Sequence, residues 1–371
     1  MSEYWNKRVT GLSPYVPGEQ PRDRKFIKLN TNENPYPPSP KVHEAINRVI
    51  AEGGGERLRL YPDPACTELR EAAALKYGVT PEQVFPGNGS DEILAFVFAA
   101  LFESAPDGGG TGAAAEALPV LFPDITYSFY PVYAGLWNVP FRTIPLGADF
   151  SINGDEYLVP SGGVIFPNPN APTGRALGLD QIRPILEYQE KQRRVVVVDE
   201  AYSAFGAESA VPLVPCSPNL LTVHTLSKYA SLAGLRAGFA IGSEELIRGL
   251  FRVRDSFNSY TLDRLALAGA AAALLDSGYY DEINRRVIAT RERVSLALTG
   301  LGFEVVPSRA NFVFIRSPRK KAVDLLAALR ERGILVRRFT LPRIADYLRV
   351  SIGADGDMDT FLEACGKIIK K

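Results

Sequence analysis

The chain carries only two histidines, His43 and His224, and three cysteines, Cys66, Cys216 and Cys365. Two imidazoles are a poor basis for a histidine-rich metal centre or a Ser-His-Asp hydrolase. The cysteines are odd in number, widely spaced and without a CxxC pair. That speaks against a disulfide framework or a thiolate metal clamp and favours a reducing cytosol. An excess of either charge is lacking as well: 42 lysines and arginines face 42 aspartates and glutamates. No net field draws such a chain to nucleic acid or to anionic lipid. No apolar run is long enough to span a bilayer, and the opening stretch "MSEYWNKRVTGLSPYVPGEQ" has no apolar signal core. No segment repeats another.

What is present is an ordinary globular composition, 46% hydrophobic and 23% charged, spread over 371 residues. That length exceeds one typical domain and predicts two lobes or one large α/β unit. Residues 1–40, with "NTNENPYPPSP", read as an extended arm and not a helix. Apolar spacing predicts helices over 41–52 and in "TELREAAALKYG", whose glycine marks the stop. "QVFPGNGSDEILAFVFAALF" predicts a strand, a glycine turn and an apolar helix. "ALPVLFPD", "GGVIFPNPN", "RRVVVVDEA" and "NLLTVHTLS" are short apolar runs closed by polar or turn-forming residues. That is the pattern of buried strands in a mostly parallel sheet, with helices between them. "FRVRDSFNSYTLDRLALAGAAAALL" predicts a long helix broken near Asn258, with 255–275 bridging to a second α+β lobe. There helices alternate with "FEVVPSRANFVFIR", "GILVRRF" and "YLRVSIG". The glycine- and alanine-rich stretch 104–117 reads as a surface excursion with no assigned role.

In a parallel sheet ligands gather at the carboxyl ends of the strands, and the unusual residues fall there. "GNGSDE" sets Gly87, Gly89, Ser90 and Asp91 at a helix start, where free N–H groups and the positive dipole end suit a phosphate. "VVVVDEAYSAF" ends an apolar strand on Asp199, with Tyr202 three residues later. A carboxylate there is costly unless something positive or proton-bearing meets it, although a helix cap would also account for it. "FPNPNAPTG" holds Asn168 and Asn170 in a proline-locked turn. "HTLSKYASLAGLR" surrounds Lys228 with small and hydroxyl residues and ends on Arg236. A desolvated lysine becomes a carbonyl nucleophile.

These four elements fit one ligand, an aromatic aldehyde bearing a phosphate: pyridoxal 5′-phosphate. Lys228 would bind the aldehyde, and Asp199 would keep the ring nitrogen protonated. Tyr202 would bond the phenolic oxygen. Ser90, Thr225, Ser227 and Arg236 would join the helix end around the phosphate.

Taken in order, "LNTNENP", "NPNAPTG", "DEAY" and "TLSK" followed by "AGLR" resemble the fold-type I aminotransferases of class I/II across nearly the whole chain. Among them the resemblance is closest to the histidinol-phosphate aminotransferases. It implies an α/β fold with a large domain built on a mostly parallel seven-stranded sheet, plus a smaller α+β domain. The implied division is an arm over 1–40 that packs with the small domain and lid, a cofactor-binding domain over 41–265 and a carboxy-terminal domain over 266–371. By the same resemblance Lys228 is the Schiff-base lysine, Asp199 the pyridinium partner and Tyr202 the ring-oxygen ligand. Tyr127 stacks on the ring, and Tyr61 reaches the neighbouring subunit's phosphate in a homodimer with shared active sites. The family's asparagine before "PTG" is Ala171 here, which leaves Asn170 or Asn168 as a stand-in. Arg349 in "YLRVSIG" aligns with the substrate-carboxylate arginine, and Arg337, Asn34 and Tyr260 are further substrate-binding candidates.

The implied reaction is a ping-pong exchange of an amino group between histidinol phosphate and 2-oxoglutarate or glutamate, part of histidine biosynthesis in the cytoplasm. An aromatic amino acid aminotransferase, or a pyridoxal phosphate-dependent decarboxylase of a phosphorylated amino acid, would share the same cofactor elements. A non-catalytic regulator on this fold would carry an added DNA-binding domain or lack the lysine. Neither feature is present.

Overall fold

The structure is a computed structural model that describes residues 4–14, 18, 19, 21, 25–106 and 117–370. Most of the stretch 104–117, and parts of the arm, lie outside the described residues. Thirteen strands are described: β1 (Ile27–Lys28), β2 (Val84–Gly87), β3 (Val120–Pro123), β4 (Phe141–Ile144), β5 (Gly163–Pro167), β6 (Val196–Asp199), β7 (Leu220–Thr225), β8 (Gly238–Gly242), β9 (Glu304–Val306), β10 (Phe312–Arg316), β11 (Ile334–Leu335), β12 (Arg337–Arg338) and β13 (Tyr347–Ser351).

Seven of them form one sheet in the order β2-β8-β7-β6-β5-β3-β4. All neighbours are parallel except β8, which runs antiparallel to both β2 and β7. The expected mostly parallel sheet is therefore present. Its edge strand β4 was not foreseen, because three of its four residues are exposed and its sequence has no apolar run. Strand β8, "GFAIG", is fully buried, but its glycines dilute the strand signal.

Period-2 alternation divides the side chains between two layers. Val196, Val198 and Leu220 enter the core on one face of the sheet. Val197, Leu221 and Val223 enter the core on the other, beneath the helices Gly89–Leu101 and Glu244–Phe257. Each such valine or leucine contributes about 1.5–3 kcal/mol on full burial, which is why these strands read as continuous apolar runs. Parallel register aligns Pro167, Asp199 and Val223 at the carboxyl edge.

The helix Pro40–Ala51 starts where Ser39 accepts from the Lys41 N–H and Pro40 stands first. Thr67–Tyr77 stops at Gly78, whose φ of 68° is left-handed. The break foreseen near Asn258 separates Glu244–Phe257 from Arg264–Leu275, the latter capped by Asp263. Arg264–Leu275 packs against Pro40–Ala51 and Thr67–Tyr77.

Four of the remaining six strands form an antiparallel sheet in the order β12-β13-β10-β9, accompanied by Ser277–Gly300, Ala322–Glu331 and Asp355–Ile369. The arm joins this region: β1 pairs in parallel with β11, and Ser351 N donates to the Leu29 carbonyl at 2.9 Å. Contrary to expectation, the arm is not wholly extended. Lys7–Gly11 is a short helix, started by Asn6, whose side chain accepts from Val9 N at 2.9 Å. No described helix is long and apolar enough to cross a membrane.

Candidate active site

The carboxyl ends of β5, β6 and β7 open into a cavity of about 250 Å³. Asp199, last in β6, stands on its wall and is 4% exposed. Its Oδ1 accepts from Ala201 N at 3.2 Å and its Oδ2 from the Tyr130 hydroxyl at 3.1 Å. Burial pushes this carboxyl up to about 6, the charge of Asp91 adds to the rise, and the two donors oppose it. Such a group gains most from a proton-bearing cationic partner.

Lys228 stands three residues beyond β7, and its Nζ donates to the Thr31 carbonyl at 3.0 Å. Burial lowers its amine to about 8. Arg349 and Arg236 contribute to that lowering, whereas Glu33 and Asp91 oppose it. Tyr202 also lines the cavity; its hydroxyl accepts from Asn32 Nδ2 at 2.9 Å, and burial raises its phenol.

The third corner is built for an anion. Gly89 begins the thirteen-residue helix with a φ of 77°, and a Cβ there would lie 2.7 Å from an Arg236 guanidinium nitrogen. Glycine takes that left-handed backbone without strain and leaves the guanidinium where it is. Ser90, Thr225, Ser227 and Arg236 line the same corner. Thr225 Oγ1 donates to Ser227 Oγ at 3.0 Å, and Arg236 donates to Asp91 Oδ2 at 3.1 Å. Tyr127 donates to Asp91 Oδ1 at 2.5 Å, so one carboxylate positions both the arginine and the aromatic ring. A buried acid, a half-buried amine and this cradle surround one small space, and they fit the ring nitrogen, aldehyde and phosphate of pyridoxal 5′-phosphate.

Opposite lie two arginines. Arg337 on β12 and Arg349 on β13 are cross-strand partners, and both line the cavity. Arg349 donates to the Asn30 carbonyl at 3.1 Å and lies over the rings of Phe312 and Phe339 at 5.4 and 5.6 Å. These contacts hold its flat guanidinium at the cavity wall, where it carries the charge and shape that suit an anion.

The structure therefore brings Ser90, Asp91, Tyr127, Asp199, Tyr202, Thr225, Ser227, Lys228, Arg236, Arg337 and Arg349 to one cavity, with Gly89 shaping its edge. It places others elsewhere. Asn170 does not line the cavity: its amide donates to Ile125 O and Thr173 Oγ1 and accepts from Thr126. Asn168 is tied to Leu177 by two bonds. Ala171 itself lines the cavity. Asn34 lies behind Lys228, donating to its carbonyl and to Asn284. Tyr61, 78% exposed, stacks on Tyr260 at 4.6 Å, away from the cavity of its own chain.

Sequence reasoning missed Asn30, Thr31, Asn32 and Glu33, which all line the cavity. The "LNTNENP" motif was noted, but only its last asparagine was chosen. It also missed Tyr130, the first residue of the helix Tyr130–Trp137, three residues after Tyr127.

Residues 24–368 match the aminotransferase class I and II family. The histidinol-phosphate aminotransferase 1 of Bordetella parapertussis is 54% identical over 371 residues, covering 99% of each chain. The histidinol-phosphate aminotransferase of Clostridium acetobutylicum is 52% identical over 363 residues, covering 98% of each. Among solved structures, the histidinol-phosphate aminotransferase of Sinorhizobium meliloti in complex with pyridoxal-5′-phosphate superposes with a TM-score of 0.83. It covers 100% of this chain and 98% of that one at 22% identity, a likeness of fold.

Proposed function

The chain belongs to the class I and II aminotransferase family, and on that premise we propose that it exchanges an amino group between histidinol phosphate and 2-oxoglutarate, with pyridoxal 5′-phosphate as cofactor. The observation that carries the substrate assignment is the facing pair Arg337 and Arg349 at the cavity. Both half-reactions share one pocket, and a guanidinium fork accepts either the phosphate of one substrate or the carboxylate of the other. The names of the full-length relatives support the same choice.

Bound in the cavity, the cofactor supplies an electron sink for negative charge developing at the substrate's α-carbon. Asp199 would hold the ring nitrogen and keep a proton there, acting as a fixed charge and not as a proton shuttle. Tyr202, oriented by Asn32, would donate its hydroxyl to the ring oxygen, and Tyr127 would pack against the ring. The start of Gly89–Leu101, with Ser90, Thr225, Ser227 and Arg236, would hold the phosphate. Lys228 would tether the cofactor and, as a free amine, would move a proton at the substrate's α-carbon. Its lowered amine lets a useful fraction be neutral near neutral pH.

The proposal includes a homodimer with shared sites, in which the exposed Tyr61, backed by Tyr260, serves the neighbouring chain. It also includes a cytoplasmic setting, in which Cys66, Cys216 and Cys365 remain free thiols. To test it, the cofactor-loaded protein is mixed separately with histidinol phosphate, glutamate and phenylalanine while the visible absorbance band is followed. Histidinol phosphate and glutamate should each convert it. Conversion by phenylalanine but not by histidinol phosphate would overturn the substrate assignment and leave the transaminase standing.

A further inference from the structure

Behind the cofactor strands lies a second cavity of about 380 Å³, and its floor is made by chain neighbours of the first. Glu200 follows Asp199, His224 precedes Thr225 and Tyr229 follows Lys228; Thr225 borders both spaces. Alternation along the strands turns these neighbours to the opposite face of the sheet.

Glu200 is 3% exposed and His224 2%. Glu200 Oε1 accepts from Ala210 N, and Oε2 from Ser209 Oγ, both at 2.6 Å. Thr222 Oγ1 donates to the Ile241 carbonyl at 3.3 Å, and a carbonyl can only accept. At its 2.9 Å contact with His224 Nε2 the threonine therefore receives the ring proton. This fixes the tautomer and turns the Nδ1 lone pair toward Glu200 Oε2, 3.8 Å away. Without a further proton, two acceptors face each other in a buried site, one residue from a second carboxylate.

We propose that the Glu200–His224 pair carries one proton, held on Glu200, and that this proton, by leaving Glu200 uncharged, lets Asp199 remain ionised against the cofactor's ring nitrogen. The inference rests on the cofactor reading above. Burial raises the Glu200 carboxyl to about 7. Ser209, Ala210 and Ser203 oppose that rise and Asp199 adds to it. Burial also holds His224 down to about 3, so the proton resides on the carboxyl.

The rings packed on the imidazole of the pair carry no charge. Phe239 stacks flat on His224 at 4.9 Å, and Tyr77 tilts against it at 5.0 Å. The Tyr77 phenol stays protonated, raised by burial and by Glu200 itself. The Tyr229 phenol, on the same wall, is likewise raised by burial. Lys76 donates to Ser277, and Asp281 and Arg285 stand on the roof helix Ser277–Gly300. Glu200 is thus a positioning residue that acts through Asp199.

The test uses the full-length protein with and without cofactor. In the cofactor-free protein, the infrared difference between wild type and Glu200→Gln should contain a protonated-carboxyl band at neutral pH that fades as pH rises. In the loaded protein, the visible band of wild type should show an inflection near neutral pH that Glu200→Gln abolishes. His224→Phe, which keeps the stack on Phe239 and removes the acceptor, should move that inflection to lower pH. The proposal is overturned if both variants titrate as wild type does, or if the difference spectrum lacks the carboxyl band. If wild type forms no visible band with cofactor, the functional reading fails instead, and the infrared result still decides the pair.

Discussion

Tyr130 donates its hydroxyl to Asp199 Oδ2 at 3.1 Å, and both residues are buried. This bond and the Ala201 N–H hold the carboxylate in one orientation, so that its charge is spent on whatever occupies the cavity. A hydrogen bond to a charged group contributes about 1.5–3 kcal/mol. Tyr130→Phe should therefore raise the Asp199 carboxyl above its present value of about 6. It should lower kcat roughly tenfold or more with little change in KM. A pH–rate profile with an acidic limb unchanged from wild type would refute this role.

Asp199 also ties function to stability. Its carboxyl binds a proton more readily in the folded chain, about 6, than at its ordinary 3.8. Between those values the folded state holds more protons than the unfolded one, so stability falls as pH rises through the window. At neutral pH the cofactor-free protein carries this buried charge at a cost on the order of 3 kcal/mol. Asp199→Asn should thus raise the Tm of the cofactor-free protein at neutral pH by a few degrees, with the difference vanishing in acid. The same variant should lose roughly a hundredfold or more in kcat. Calorimetry across pH, paired with kinetics, checks both halves.

Lys228 has the opposite sign of titration. Burial brings its amine from 10.5 to about 8, so between those values the unfolded chain binds more protons and stability rises with pH. Lys228→Met should flatten that rise in the cofactor-free protein and stabilise it at neutral pH. It should also abolish the covalent visible band and turnover. A variant that kept the alkaline rise would show that another group is responsible.

Much of this site was legible because its residues sit at strand ends. "VVVVDEAY" and "TLSK" announce their strands by β-branched runs, and the polar residue that follows has nowhere else to go. The arm was harder. Thr31 reaches Lys228 through its backbone carbonyl, a contact that leaves no side-chain signature. Asn32 meets Tyr202 across 170 positions of sequence, which no local period reveals. Asn170 shows the reverse failure. Its motif looks functional, yet its amide is consumed by the turn that it builds. Strand β4 escaped because an exposed edge strand needs no apolar pattern.

Arg349 should resist conservative replacement. Its guanidinium lies over Phe312 and Phe339 and donates to Asn30 O, contacts that depend on a flat, forked group. Arg349→Lys should keep the charge but raise KM for both substrates about tenfold or more, with a smaller effect on kcat. Arg337→Lys should affect one substrate more than the other if the two arginines divide the anions between them. Steady-state kinetics with each substrate varied in turn separates these cases. An unchanged KM for both substrates in Arg349→Lys would remove it from the binding site.

Shared active sites make a sharper demand. Tyr61 is 78% exposed and held against Tyr260, while the cavity of its own chain lies elsewhere. If it serves a neighbouring chain, Tyr61→Ala and Lys228→Ala proteins should each be weakly active alone. Unfolded together and refolded as mixed dimers, they should regain activity. Random pairing gives half heterodimers, each with one intact site, so roughly a quarter of all sites should work. Activity no greater than the average of the two parents would mean that Tyr61 acts within its own subunit or not at all.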